Sequence, residues 1–142
     1  METWLLLALA SGVLFGVYNI FIKMYSAKAP AYVSVMIIGL GIFLCGLAYL
    51  LFQKDPAGQV KSAMPVLALI LISAAIWFVA TLLQVIAYAD PKASLAIGAI
   101  VITVALGVTA TVSGAIVFSE KFTALQMLGM AFAIVGTVLL SS

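Results

Sequence analysis

Five long apolar runs, at 4–24, 31–52, 64–89, 93–119 and 124–140, are separated by short segments that hold nearly all of the chain's charge. About 20 consecutive apolar residues cross a hydrocarbon core of ~30 Å as a helix. In lipid only helices and closed barrels satisfy their own backbone. Unbroken apolarity is not the alternation of barrel strands, so the runs predict five transmembrane helices. The expected fold is an all-α, polytopic membrane protein, one five-helix domain over 1–142. The fourth run is 27 residues, roughly 40 Å at 1.5 Å per residue, so it is expected to tilt or overhang.

Composition agrees. Hydrophobic residues make up 67% of the chain and charged residues 7%, against about 25% charged in a soluble domain. Such a chain cannot clothe a surface that faces water. There is no histidine, one cysteine (Cys45), and no pair of carboxylates close in sequence. That excludes an obvious enzyme site and leaves no expected metal or cofactor. Cys45 reads as a small apolar packing residue. All six basic residues are lysine, and a net charge of +2 is too small to suggest nucleic acid. The N-terminus lacks a basic lead, and its apolar run is too long for a signal peptide. The first segment is expected to stay.

The connectors carry start and stop chemistry. Pro30 separates the first two runs, and QKDPAGQVKS (53–62) is the only loop of any length. Ser62 and Pro65 suit a helix start. Asp90-Pro91 reads as an N-cap followed by proline at the first helical position. Thr123 with Gln126 reads as a capping box opening the last helix.

Five spans would put Lys54, Lys61 and Lys121 on one side of the membrane and Lys23, Lys28 and Lys92 on the other. Three lysines on each side give the positive-inside rule no preference. Either the orientation is set by something weaker, or the chain inserts both ways and two copies pair antiparallel, as an inverted-repeat carrier built from separate halves requires.

Polar groups inside a membrane face protein or water. On the third run Ser73, Trp77, Thr81, Gln84 and Tyr88 are spaced 4, 4, 3 and 4, which is one helical face. The stripe can line a path for a small, neutral or zwitterionic, partly aromatic molecule. Equally, it can glue helices together, with Trp77 packing and Tyr88 at the interface. On the first run Ser11, Phe15 and Tyr18 or Asn19 share a face, and Lys23 follows Asn19 by four residues. Lys23 stands near the end of its run, so it either snorkels to the headgroups or lines a cavity mouth, with Asn19 as its neighbour and an acid or a substrate carboxylate as its partner. Asn19, a turn inside, needs a hydrogen-bond partner.

The last two runs differ. Ala96, Ala99, Thr103, Gly107, Ala110 and Gly114 form one stripe of small residues, and Gly129, Ala133 and Gly136 form another. Small faces let helix backbones approach, so these are expected to pack helix on helix or copy on copy. Gly129 and Gly136 are expected to hold the last helix against its neighbour. No Asp or Glu lies deep in any run, so a carboxylate that alternates between proton and cation has no evident candidate.

The run from Ala87 to Leu140, AYADPKASLAIGAI followed by VFSEKFTALQMLGMAFAIVGTVLL, resembles the end of an EamA-type repeat of the drug/metabolite transporter superfamily. The matching parts are the Ala87-Tyr88 step, a short turn, a long helix ending in Glu120-Lys121, and a capped last helix with Gly129 and Gly136. Gly16 and Lys23 match the opening of such a repeat more loosely. Full-length members have two inverted five-span halves around a central cavity, so the resemblance implies a single half. It implies a carrier or exporter of a small metabolite or drug in the cytoplasmic membrane, completed as an antiparallel homodimer working by alternating access. The four-span relatives carry an acid in their first helix where this chain has Tyr18-Asn19. The proline common midway along the fourth helix is replaced by Val104-Ala105-Leu106-Gly107.

Tyr18, Asn19, Lys23, Trp77, Thr81 and Gln84 are therefore the expected substrate-facing residues, and Gly107, Gly114, Gly129 and Gly136 the expected packing or dimer contacts. The expected partners are the lipid bilayer, a small-molecule substrate and a second copy. A non-transporting membrane subunit, acting in assembly or anchoring or pairing with a different half-size chain, is the alternative. A small pore is disfavoured by the lack of a charged ring.

Overall fold

The computed structural model describes residues 3–141. Its elements are α1 (Thr3–Ser26), α2 (Ala31–Leu51), α3 (Pro56–Ala63), a 3-10 turn (Met64–Val66), α4 (Leu67–Ala89), α5 (Leu95–Val117) and α6 (Ala124–Ser141). The described residues contain no strand, and the all-α expectation stands. By length and apolarity α2, the continuous segment Pro56–Ala89 that contains α4, and α5 can each cross a membrane, while the apolar part of α6, Ala124–Leu140, is shorter.

Helix boundaries depart from the sequence reading at two places. The 53–62 segment is not a plain loop. The Asp55 carboxylate accepts a 2.9 Å hydrogen bond from the Gly58 N–H, and Pro56 takes the first helical position, so α3 forms there. The second departure is at Asp90-Pro91, which does not open α5. Asp90 is extended (φ −63, ψ 126) and closes α4, as a residue before proline prefers. Ser94 is the cap instead, its Oγ accepting from the Ile97 N–H at 3.5 Å. The fourth long helix is thereby 23 residues, about 35 Å, and the overhang expected of a 27-residue run is largely removed.

The capping box at α6 is present. The Thr123 N–H donates to Gln126 Oε1 at 2.8 Å, and the Gln126 N–H donates back to Thr123 Oγ1 at 3.3 Å. Two of the helix's orphan donors are satisfied this way.

The chain forms two compact units. One comprises Met1–Phe21 with Lys92–Ser142, the other Ile22–Pro91. In the first, α5 and α6 pack on each other across the turn at 118–123. Gly114 is the buried residue of α5. In the second, α2 packs on α4, and the buried side chains are Ile22, Ser26, Ser34, Val35, Thr81, Val85 and Tyr88. These lie at the end of α1, the start of α2 and the last three turns of α4. Elsewhere the large apolar side chains of the long helices are mostly exposed, as suits faces that meet lipid or another protein.

Candidate functional site

In the Ile22–Pro91 unit the polar stripe of α4 grades from open to closed. Ser73 is exposed and its hydroxyl turns back to the Leu69 carbonyl at 2.8 Å. Trp77 and Gln84 are half-buried. Thr81 is 3% exposed and Tyr88 1%. The Tyr88 hydroxyl is buried, and the Gln84 side chain, one turn earlier, lies within electrostatic reach without closing a regular hydrogen bond. Gln84 has an interaction of its own. The expected residues Trp77, Thr81 and Gln84 thus share one face, and its C-terminal part is packed inside the protein.

Lys23 stands at the same end. Its ammonium donates to the Tyr88 carbonyl at 2.9 Å and to the Asp90 carbonyl at 3.2 Å. These are carbonyls at the C-terminus of α4, which have no partner within their own helix and sit at the negative end of its dipole. Lys23 is a cross-helix cap. The head group is thus turned to the end of α4, and the partners it has within the chain are backbone carbonyls. Lys23 is the only charged side chain in the five long helices. Sequence carried no sign of its partner, because a backbone carbonyl is offered by every residue type. Two hydroxyls close nearby backbone positions, Ser26 Oγ to the Lys23 carbonyl at 3.3 Å and Ser34 Oγ to the Pro30 carbonyl at 3.2 Å.

Tyr18 and Asn19 belong to the other unit. Tyr18 is half-buried and meets Phe15 edge to face, with ring centroids 6.2 Å apart and planes at 81°, a favourable aromatic geometry. Asn19 is 9% exposed and is engaged by a partner.

The small-residue faces of α5 and α6 differ from one glycine to the next. Among the described residues, a Cβ added at Gly107, Gly129 or Gly136 would meet nothing within 4 Å. Gly114 differs: a Cβ there would come within 2.6 Å of Glu120 Oε2.

Residue types gave no sign of a cleft of about 450 Å³ between α5 and α6, lined among others by Thr103, Gly107, Thr111, Phe122, Gln126 and Met130. Its hydroxyls are already spent on their own helix, Thr103 on the Ala99 carbonyl and Thr111 on the Gly107 carbonyl, both at 2.8 Å. The Gln126 carbonyl oxygen is held in the capping box. The cleft consequently presents a mainly apolar wall.

Long apolar helices with a polar face on α4 define a multi-pass helical membrane protein. The profile of the EamA-like transporter family matches residues 2–142, and the chain belongs to that family. It is 30% identical over 142 residues to an uncharacterized protein of Methanocaldococcus jannaschii, covering 99% of this chain and 98% of that protein. No solved structure matches.

Proposed function

We propose that the chain is a half-size carrier of a small organic solute, a single five-span domain in the cytoplasmic membrane that works by alternating access as an antiparallel homodimer. The observation that carries this reading is the family match over residues 2–142, which fills the chain with one repeat of a transporter whose cavity needs two. Three lysines on each side of the expected spans leave insertion unbiased, and that supports pairing of two opposite orientations. In this reading Tyr18, Asn19, Trp77, Thr81 and Gln84 line the solute path. Lys23 contributes by fixing the end of α4. Gly107, Gly129 and Gly136, open among the described residues of one chain, are where a second copy approaches.

Burial favours a second reading. Thr81, at 3% exposure, and Asn19, at 9%, are already enclosed by the single chain, which is how helix glue behaves. On that reading the protein is a non-transporting membrane subunit. Gln84→Leu separates the two. In a carrier the variant assembles normally, while the small-molecule profile of the medium around expressing cells loses the change produced by the parent chain. In an assembly subunit Gln84→Leu weakens the complex itself, and the parent chain leaves the medium unchanged.

A further inference from the structure

The charges that flank α5 stand at the wrong ends of it. Lys92 precedes the Ser94 cap by two residues, and Glu120 follows Val117, the last helical residue, by three. A helix dipole favours an anion at its N-terminus and a cation at its C-terminus, so α5 has the two reversed. The turn after α5 holds the acid in that place. Ser119 is left-handed, with φ 55, and the Glu120 N–H donates to the Gly114 carbonyl at 3.2 Å. This fold-back lays the carboxylate over Gly114, where a Cβ would stand 2.6 Å from Oε2. Glu120 and Lys92 are both exposed. Among the described residues Glu120 forms no side-chain hydrogen bond or ion pair. Lys92 has an interaction within the chain, and an ammonium with three donors has room for another.

A second α5 running the opposite way corrects both ends at once. We propose that two copies pair antiparallel along α5, with Glu120 of each copy on the partner's Lys92. This contact rests on the antiparallel homodimer proposed above and names what sets its direction. In such a pair each carboxylate lies beside the N-terminus of the partner's α5, and each ammonium beside a C-terminus, where the dipoles favour them. A parallel pair would instead set Lys92 against Lys92 and Glu120 against Glu120, like charges at both ends. Between the charges, Ala96, Thr103, Gly107 and Ala110 are exposed along one side of α5, and small residues let two backbones come close. Reversing one helix over the other with Thr103 opposite Gly107 brings Gly114, under its carboxylate, opposite Ala96. Lys92, four residues before Ala96 on a flexible four-carbon stem, is the cation at that end of the partner's α5. The contact is isologous, so the same ion pair occurs twice. Thr103 and Gly107 also line the α5–α6 cleft, so the partner's helix covers part of that apolar wall.

Crosslinking with a short bismaleimide tests it, on purified full-length chains with Cys45→Ala, in detergent micelles where insertion has no part. A Glu120→Cys chain and a Lys92→Cys chain carrying different tags are mixed. The mixed-tag dimer is expected in severalfold excess over either same-tag dimer, because like positions lie at opposite ends of a 23-residue helix, about 35 Å apart. With both positions charged, Glu120→Lys should lower the dimer fraction severalfold, and so should Lys92→Glu. An equal mixture of those two variants should dimerise as the parent does, since acid and base again face each other across the copies. Rescue by mixing separates a lost contact from a misfolded chain. A same-tag excess shows a parallel pair and overturns both this contact and the antiparallel carrier. A parent dimer without the mixed-tag crosslink, or a mixture that dimerises no better than its components, overturns the contact alone. Cysteines at the termini labelled in about half the copies would then leave the antiparallel reading standing.

Discussion

The Lys23 ammonium donates a 2.9 Å hydrogen bond to the carbonyl of Tyr88, 65 residues away in sequence, and so ties the end of α1 to the end of α4. The only charged side chain of the long helices is used to finish a helix, at a point where Asp90-Pro91 provides no glycine to turn the chain back.

Replacing Lys23 by Met should lower stability by about 1–2 kcal/mol, the value of charge-assisted hydrogen bonds moderated by partial exposure. Arginine should recover most of that loss, since it keeps the charge and the donors. Unfolding in mixed detergent micelles measures both. A Met variant as stable as the parent would show the cap to be idle.

Thr123→Ala should cost about 1 kcal/mol through loss of the α6 capping box. Because Thr123 and Gln126 act on each other, the Thr123→Ala/Gln126→Ala double variant should lose less than the sum of the two singles. Amide exchange at the first turn of α6 should rise in all three. Additive losses would contradict the reciprocal bonding.

Much of the architecture was legible because lipid imposes a single demand, long helices, on any apolar run. Boundaries were harder, and Asp-Pro shows why. The pair occurs twice, at 55–56 and 90–91. Asp55-Pro56 starts α3, whereas Asp90-Pro91 ends α4. The dipeptide fits either role: its aspartate can cap the next helix, and its proline can stop the helix before it. The neighbouring residues decide, Gly58 accepting close approach of Asp55 in one case and Ser94 taking over as cap in the other. The stripe of α4 was visible from spacing alone, but its burial gradient depends on α2 and the end of α1. Lys23's acceptors and the α5–α6 cleft left no trace in residue types, because they arise from backbone carbonyls and from space.

Ser119 sits at φ 55, a region that costs a non-glycine residue about 1–2 kcal/mol. Ser119→Gly should therefore stabilise the protein by roughly 0.5–1 kcal/mol after glycine's extra freedom in the unfolded chain is set against it. Ser119→Val should destabilise. The comparison is read from unfolding midpoints, and a glycine variant weaker than the parent would contradict the assigned backbone.

Gly129→Leu probes the surface offered to a second copy. Since no described residue lies within 4 Å of a Cβ at Gly129, the single chain should tolerate the leucine with under about 0.5 kcal/mol change. The dimer fraction in crosslinking should fall severalfold, because close helix approach needs small residues. An unchanged dimer would remove α6 from the contact.

Topology is the most direct test of the antiparallel pair. Single cysteines at each terminus and between Lys54 and Lys61, placed on a Cys45→Ala background, are labelled in intact cells with a membrane-impermeant thiol reagent. Labelling of about half the copies at every site is the outcome expected from the balanced lysines. Labelling of all copies from one side only would contradict the antiparallel homodimer and point to an oppositely oriented partner chain.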